Sequence, residues 1–275
     1  MRRQRTGRAL AGLAVAALLA FSAFPFYWAL VASFTPEARL FEGPSLWPAE
    51  PVTDHYRALW DERDFWLPIR NSLVVAGSTT LLCVTLGSLA AYALARLRFR
   101  GKTAVLGFVL AVTLFPQISI VSPLYLLLRA LGLIDTWPGL VLPYLTFAMP
   151  LAVWLLTGFF RQLPADLEEA ALVDGATRWQ TLLRVILPLA APGLAATAIL
   201  TFLYCWNEFL FALSFTLGPE RQTVPVAIAL FRGRYQVPWG QILAAAMVAS
   251  APVAALALAF QRRIVQGLTA GAVKG

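Results

Sequence analysis

Apolar residues fall in six long stretches, at about 9–34, 68–95, 103–128, 139–160, 191–217 and 240–260, and the segments between them collect most charges and turn residues. Each stretch reaches the roughly 20 residues that a helix needs to cross a hydrocarbon core of about 30 Å. None alternates polar and apolar positions over about ten residues, as a barrel strand would. The pattern predicts an all-α membrane protein, with six transmembrane helices in a single domain over residues 1–275, an inner loop at 161–188 and a tail at 261–275. The first stretch follows Arg2, Arg3, Arg5 and Arg8, as a signal peptide core would, but it continues through Phe24, Pro25, Phe26, Tyr27 and Trp28 to Phe34. A cleaved core has only about 7–15 apolar residues, so this stretch is read as a retained anchor.

The inner segment 161–188 is long for a connection within a bundle and reads as helix, turn, helix. Pro164 suits a first-turn position, and Asp166, Glu168 and Glu169 bring negative charge to the positive end of the helix dipole. Ala170, Ala171, Leu172 and Val173 continue the helix, and Asp174-Gly175 offers the left-handed turn that ends it. Thr177, with Gln180 three residues on, is a capping-box pattern opening a second helix, which Pro188 is expected to close. On that helix Trp179, Leu182, Leu183, Ile186 and Leu187 recur at helical spacing and form one apolar face. An amphipathic pair of this kind either covers the bundle or meets a partner.

Composition then narrows the class. Of the 275 residues 59% are hydrophobic and 13% charged, against about 45–50% and 25% in soluble domains, which excludes a water-soluble enzyme. The net charge of +8, from 22 Lys and Arg against 14 Asp and Glu, fits nucleic acid, an anionic surface or a topology signal. With the N-terminus inside, the inner segments carry about +10 and the outer about −2, so the excess is a positive-inside signal and no nucleic-acid patch is left over. Both termini are assigned to the cytoplasm on this ground. Segment 161–188 departs from its basic neighbours, with a net charge of about −1. Cys83 and Cys205 lie inside apolar runs and the single His55 in a polar loop, which favours neither a disulfide framework nor a metal cluster. Gly101-Lys102-Thr103 matches only the end of a phosphate-binding loop, whose first glycine would fall where Arg96 stands.

At the inner loop the chain resembles a known family. Glu169-Ala170-Ala171, three residues, Gly175, nine residues, then Val185-Ile186-Leu187-Pro188 is similar to the EAA motif of ATP-binding-cassette importer permeases, with Val185 where Ile is usual. Asp174-Gly175-Ala176-Thr177, Trp206-Asn207-Glu208-Phe209, Asp135-Thr136-Trp137-Pro138-Gly139 and the tail from Gly267 to Gly275 resemble the maltose and trehalose permeases of that family. The resemblance implies a type I importer permease bundle in the plasma (inner) membrane, one that catalyses nothing and binds no cofactor, ATP and Mg being held by partners. It implies three kinds of partner chain: a related but non-identical second permease, two cytoplasmic ATPase subunits, and an extracytoplasmic sugar-binding protein. Glu169, Ala170, Ala171, Asp174, Gly175, Trp179, Leu187 and Pro188 would then meet the ATPase, with Gly271, Val273, Lys274 and Gly275 of the tail as a second contact.

Polar residues at membrane depth cost at least about 2.5 kcal/mol each when charged, so each asks for a cavity, a partner or a function. Asn207 and Glu208, flanked by Tyr204 and Trp206, could line a sugar path, with rings for stacking and polar groups for hydroxyls; they could equally make packing hydrogen bonds between helices. Gln117, Ser119 and Ser122 lie among Pro116 and Pro123, and broken helices of that kind tend to line cavities. Asn71 and Ser72 are similar but nearer the surface, while Arg232 and Arg234 in the loop 218–238 would face a binding protein. An intramembrane enzyme would need an acid, base or metal set that one His and an isolated Glu208 do not make. A passive channel needs no coupling element. The expected function is import of a disaccharide or short oligosaccharide, the alternative being a glycerol phosphate diester or a polyol in the same transporter class.

Overall fold

The computed structural model describes residues 2–43, 45–231 and 237–270. The tail residues Gly271, Val273, Lys274 and Gly275, and the loop cations Arg232 and Arg234, lie outside the described residues. Among the described residues the regular elements are helices: α1 (Arg2–Ser33), α2 (Asp54–Asp61), α3 (Trp66–Arg96), α4 (Lys102–Val112), α5 (Gln117–Ala130) and α6 (Trp137–Gln162). They continue with α7 (Asp166–Val173), α8 (Arg178–Leu189), α9 (Ala191–Trp206), α10 (Leu210–Phe215), α11 (Val224–Ala229) and α12 (Trp239–Ala270).

Among the described residues four helical stretches are unbroken, apolar and long enough to cross a membrane: Leu10–Ser33, Trp66–Arg96, Trp137–Gln162 and Trp239–Gln261. The third expected span, 103–128, is instead two helices, α4 and α5, bent by 88°. Pro116, at the N-cap of α5, has no N–H to continue the ladder, and Thr113 Oγ1 turns back to the Leu110 carbonyl at 2.6 Å. The fifth expected span, 191–217, is interrupted between α9 and α10. Pro188 does not close the second loop helix as expected; α8 runs through it to Leu189. A π turn over Leu182–Ile186 widens the helix just before the proline, relieving the clash of its ring with the preceding turn. The break comes instead at Ala190, where α8 and α9 bend by 78° and the loop passes into the span.

The chain divides into two compact units. One is Met1–Phe65 with Ile228–Ala251. Here Glu37 caps the last span, accepting from the N–H groups of Trp239 at 2.8 Å and Gly240 at 2.9 Å. His55 packs so tightly on Gly240 that a Cβ there would fall 2.3 Å from its Nε2. Residues 10–27 of α1 are exposed throughout.

The other unit is Trp66–Ala227 with Pro252–Gly275. Its centre is α3 against α6. Asn71 meets Trp137 near the helix starts, and Gly87 faces Ala152 some four turns on, so the two helices run parallel. A Cβ on Gly87 would lie 3.5 Å from that of Ala152, a close approach between small residues. One core cluster gathers Val75, Cys83, Tyr144, Ala148, Phe211 and Phe215. A second, at the far end, gathers Ala91, Tyr92, Leu156, Phe160, Leu182, Ile186 and Ala190.

Candidate functional site

The inner loop is built by local chemistry. Gly175 adopts φ +84°, its N–H reaches the Leu172 carbonyl at 3.1 Å, and the Ala176 N–H reaches that of Ala171 at 3.0 Å. This is a Schellman turn, and the left-handed residue it needs is why a glycine stands there. The capping box closes as expected, with Gln180 N–H on Thr177 Oγ1 at 3.3 Å and Thr177 N–H on Gln180 Oε1 at 2.8 Å. Pro164 lies one residue ahead of the α7 N-cap, Ala165, rather than inside the first turn.

The expected single apolar face of α8 divides. Leu182 and Ile186 are buried in the second core cluster, whereas Trp179 and Leu183 stay 58% and 44% exposed. Successive residues on a helix turn by about 100°, so the 182/186 stripe holds the bundle while the 179/183 stripe faces out. Val173 of α7 is a further exposed apolar residue, at 86%. Glu169, Ala170, Asp174, Gly175 and Pro188 are also exposed, and Ala171 and Leu187 are half-buried.

Glu168 behaves differently from Glu169. Its carboxylate accepts from the Tyr92 hydroxyl at 2.7 Å and lies 3.6 Å from Arg96 Nε; both charged side chains are nearly covered. The same guanidinium donates to the Leu163 carbonyl at 2.7 Å. Sequence reasoning counted Arg96 only as a topology charge and gave Tyr92 no role, because nothing local links residues 76 apart.

In the spans, Gln117 Nε2 donates to the Tyr204 hydroxyl at 2.6 Å, joining the start of α5 to α9. Ser119 and Asn207 are exposed, and Asn207 Nδ2 returns to the Leu203 carbonyl of its own helix at 2.8 Å. Trp206 is buried at 4% exposure, stacked on Phe202 with 5.6 Å between centroids, so it presents no open ring face. Glu208 is buried too, and its two oxygens accept from the N–H groups of Phe211 at 2.8 Å and Ala212 at 3.1 Å. It thus caps α10, where the helix dipole favours its charge.

Asn71 and Ser72, read as near-surface path residues, are buried and hydrogen-bonded. Asn71 Nδ2 donates to the carbonyls of Glu220 at 2.8 Å and Gln222 at 3.0 Å, and its Oδ1 accepts from Trp137 Nε1 at 3.1 Å. Ser72 Oγ accepts from Val224 N–H at 2.8 Å. The guanidinium groups of Arg70 and Arg221 lie over the Trp137 ring, 5.5 and 4.8 Å from its centroid. This knot sits at the opposite end of α3 from Arg96, about 37 Å away along the helix axis.

Residues 83–270 match the family described as the binding-protein-dependent transport system inner membrane component. The chain belongs to that family. It is therefore a multi-pass membrane permease subunit, a class of chain that moves solutes rather than transforming them. It is 47% identical to the trehalose transport system permease protein SugB of Mycobacterium tuberculosis, over 94% of each chain. It is 43% identical to the trehalose/maltose transport system permease protein MalG of Thermococcus litoralis, over 92% of this chain and 91% of that one. A chain from the crystal structure of a bacterial importer of the acidic polysaccharide alginate shares the permease's fold, with a TM-score of 0.79 at 21% identity, over 95% of this chain and 98% of that one.

Proposed function

We propose that this permease carries a disaccharide or short oligosaccharide of the trehalose or maltose kind across the membrane, driven by ATP hydrolysed on partner subunits. The observation that supports the sugar class best is the near full-length similarity to the trehalose and the trehalose/maltose permeases, at 47% and 43% identity. A second reading, a sugar linked to glycerol, is favoured by 41% identity over 98% of the chain to the sulfoquinovosyl glycerol permease SmoH of Agrobacterium fabrum.

In this reading both termini are cytoplasmic, and the exposed surface of Glu169, Ala170, Asp174, Gly175 and Trp179 docks in a cleft of an ATPase subunit that holds ATP and Mg. Ala171, Leu187 and Pro188 back that surface, and Gly271, Val273, Lys274 and Gly275 add a second contact. Gln117, Tyr204, Ser119 and Asn207 form the wall along which sugar hydroxyls pass, facing a related second permease. An extracytoplasmic binding protein delivers the sugar, and closure of two ATPase subunits tips the bundle between outward- and inward-facing states. The chain itself binds no nucleic acid and needs no cofactor.

Calorimetry on the partner binding protein, followed by uptake into vesicles holding the whole complex, tests the substrate. Binding and import of a disaccharide are expected; binding of a solute with no glycosidic bond would overturn the reading. Glu169→Lys is expected to abolish association with the ATPase subunits while the permease stays in the membrane.

A further inference from the structure

Helix α7 carries the exposed Glu169, and it buries no apolar side chain. The neighbouring α8 grips the bundle through Leu182 and Ile186, so its position is set by packing. What holds α7 directly to a membrane-spanning helix is polar: Glu168 on Tyr92 and Arg96 of α3, with Arg96 also on the Leu163 carbonyl ahead of α7. Glu168 and Arg96 line an open cavity of about 690 Å³, together with Arg98, Phe99, Leu172 and Arg178 among others, so open space separates α7 from the end of α3 on that side.

From this we propose that Glu168, not only the Glu169 beside it, is a positioning residue for coupling: it passes movement of the docked helix to α3 through Tyr92 and Arg96. The proposal rests on the reading that the inner loop docks on an ATPase subunit. Adjacent positions on a helix point about 100° apart: Glu168 reaches Tyr92 and Arg96, while Glu169, which lines the same cavity, stays exposed where a partner can reach it. The Tyr92 and Arg96 side chains stand one turn apart on α3 and close on the carboxylate from one helix, which makes the link short and stiff. A charged, mostly covered hydrogen bond resists displacement more than exposed surface contacts do. When the docked helix is pulled, α3 follows.

The test uses the whole complex in vesicles and reads substrate imported per ATP hydrolysed, together with ATPase binding. Tyr92→Phe removes one hydroxyl and Glu168→Gln one charge, and both are mild enough to leave assembly intact. Each is expected to lower import per ATP by about tenfold, the factor that corresponds to about 1.4 kcal/mol. The double variant is expected to lose no more than the worse single one, because both break the same link. Glu168→Asp should recover part of the loss. Unchanged import per ATP in both single variants, or losses that simply multiply, would overturn the proposal. Glu169→Lys in the same assay separates the two readings: if it abolishes ATPase binding while Glu168→Gln changes nothing, the role of Glu168 falls and docking stands. If Glu169→Lys also binds the ATPase normally, both fall.

Discussion

Replacing Glu208 by alanine separates two roles that a buried acid in a span can have. Both carboxylate oxygens are engaged by backbone donors, Phe211 N–H at 2.8 Å and Ala212 N–H at 3.1 Å, at a position 8% exposed. Alanine leaves those two donors buried without acceptors, and each such group costs about 1–3 kcal/mol, so the expected destabilisation is about 2–6 kcal/mol. Glutamine keeps one acceptor oxygen and the side-chain volume but loses the charge that favours a helix N-terminus, for an expected loss of about half that. The assay is thermal unfolding of the purified complex in nanodiscs, paired with the sugar dependence of uptake at a temperature where the variant is folded. A cap predicts a lowered melting temperature in the order Glu, Gln, Ala, with fewer active complexes but an unchanged half-saturating sugar concentration. An unchanged melting temperature with a raised half-saturating concentration would refute the cap and return Glu208 to the sugar path.

Two further substitutions probe how the helices are held. Gly193→Ala places a Cβ 2.5 Å from Cγ of the Phe159 ring, near the root of the side chain where it cannot swing away. A loss of about 1–3 kcal/mol is expected, read as a lower melting temperature, and wild-type stability would show that α9 and α6 have room to part. Glu37→Gln weakens the cap on Trp239 and Gly240 by about 0.3–1 kcal/mol, a charge–dipole contribution that added salt should shrink in the wild type and not in the variant.

The parts of the inner loop that were legible in advance are those whose hydrogen bonds close within about six residues. A capping box needs only Thr177 and Gln180, and a Schellman turn only the segment from Ala171 to Ala176, so residue type and spacing suffice. The long apolar runs were legible for a similar reason, since a span is a property of one contiguous stretch. The breaks within the third and fifth runs were less so. Pro116 marked the first, but the second is made by Glu208 bonding forward to Phe211 and Ala212, and a strongly apolar run conceals such a cap.

Residue order alone was enough for the helical class, the number of apolar runs and the shape of the hairpin at 161–188, because each follows from local periodicity and short-range turn chemistry. It could not say which of two adjacent glutamates faces the bundle, nor that Asn71 belongs to a knot with Trp137 and Glu220 rather than to a path. Those depend on groups 66 to 149 residues apart that only the folding of distant segments onto α3 brings within hydrogen-bond reach. Tertiary structure decided them because a hydrogen bond acts over about 3 Å, whatever the distance along the chain.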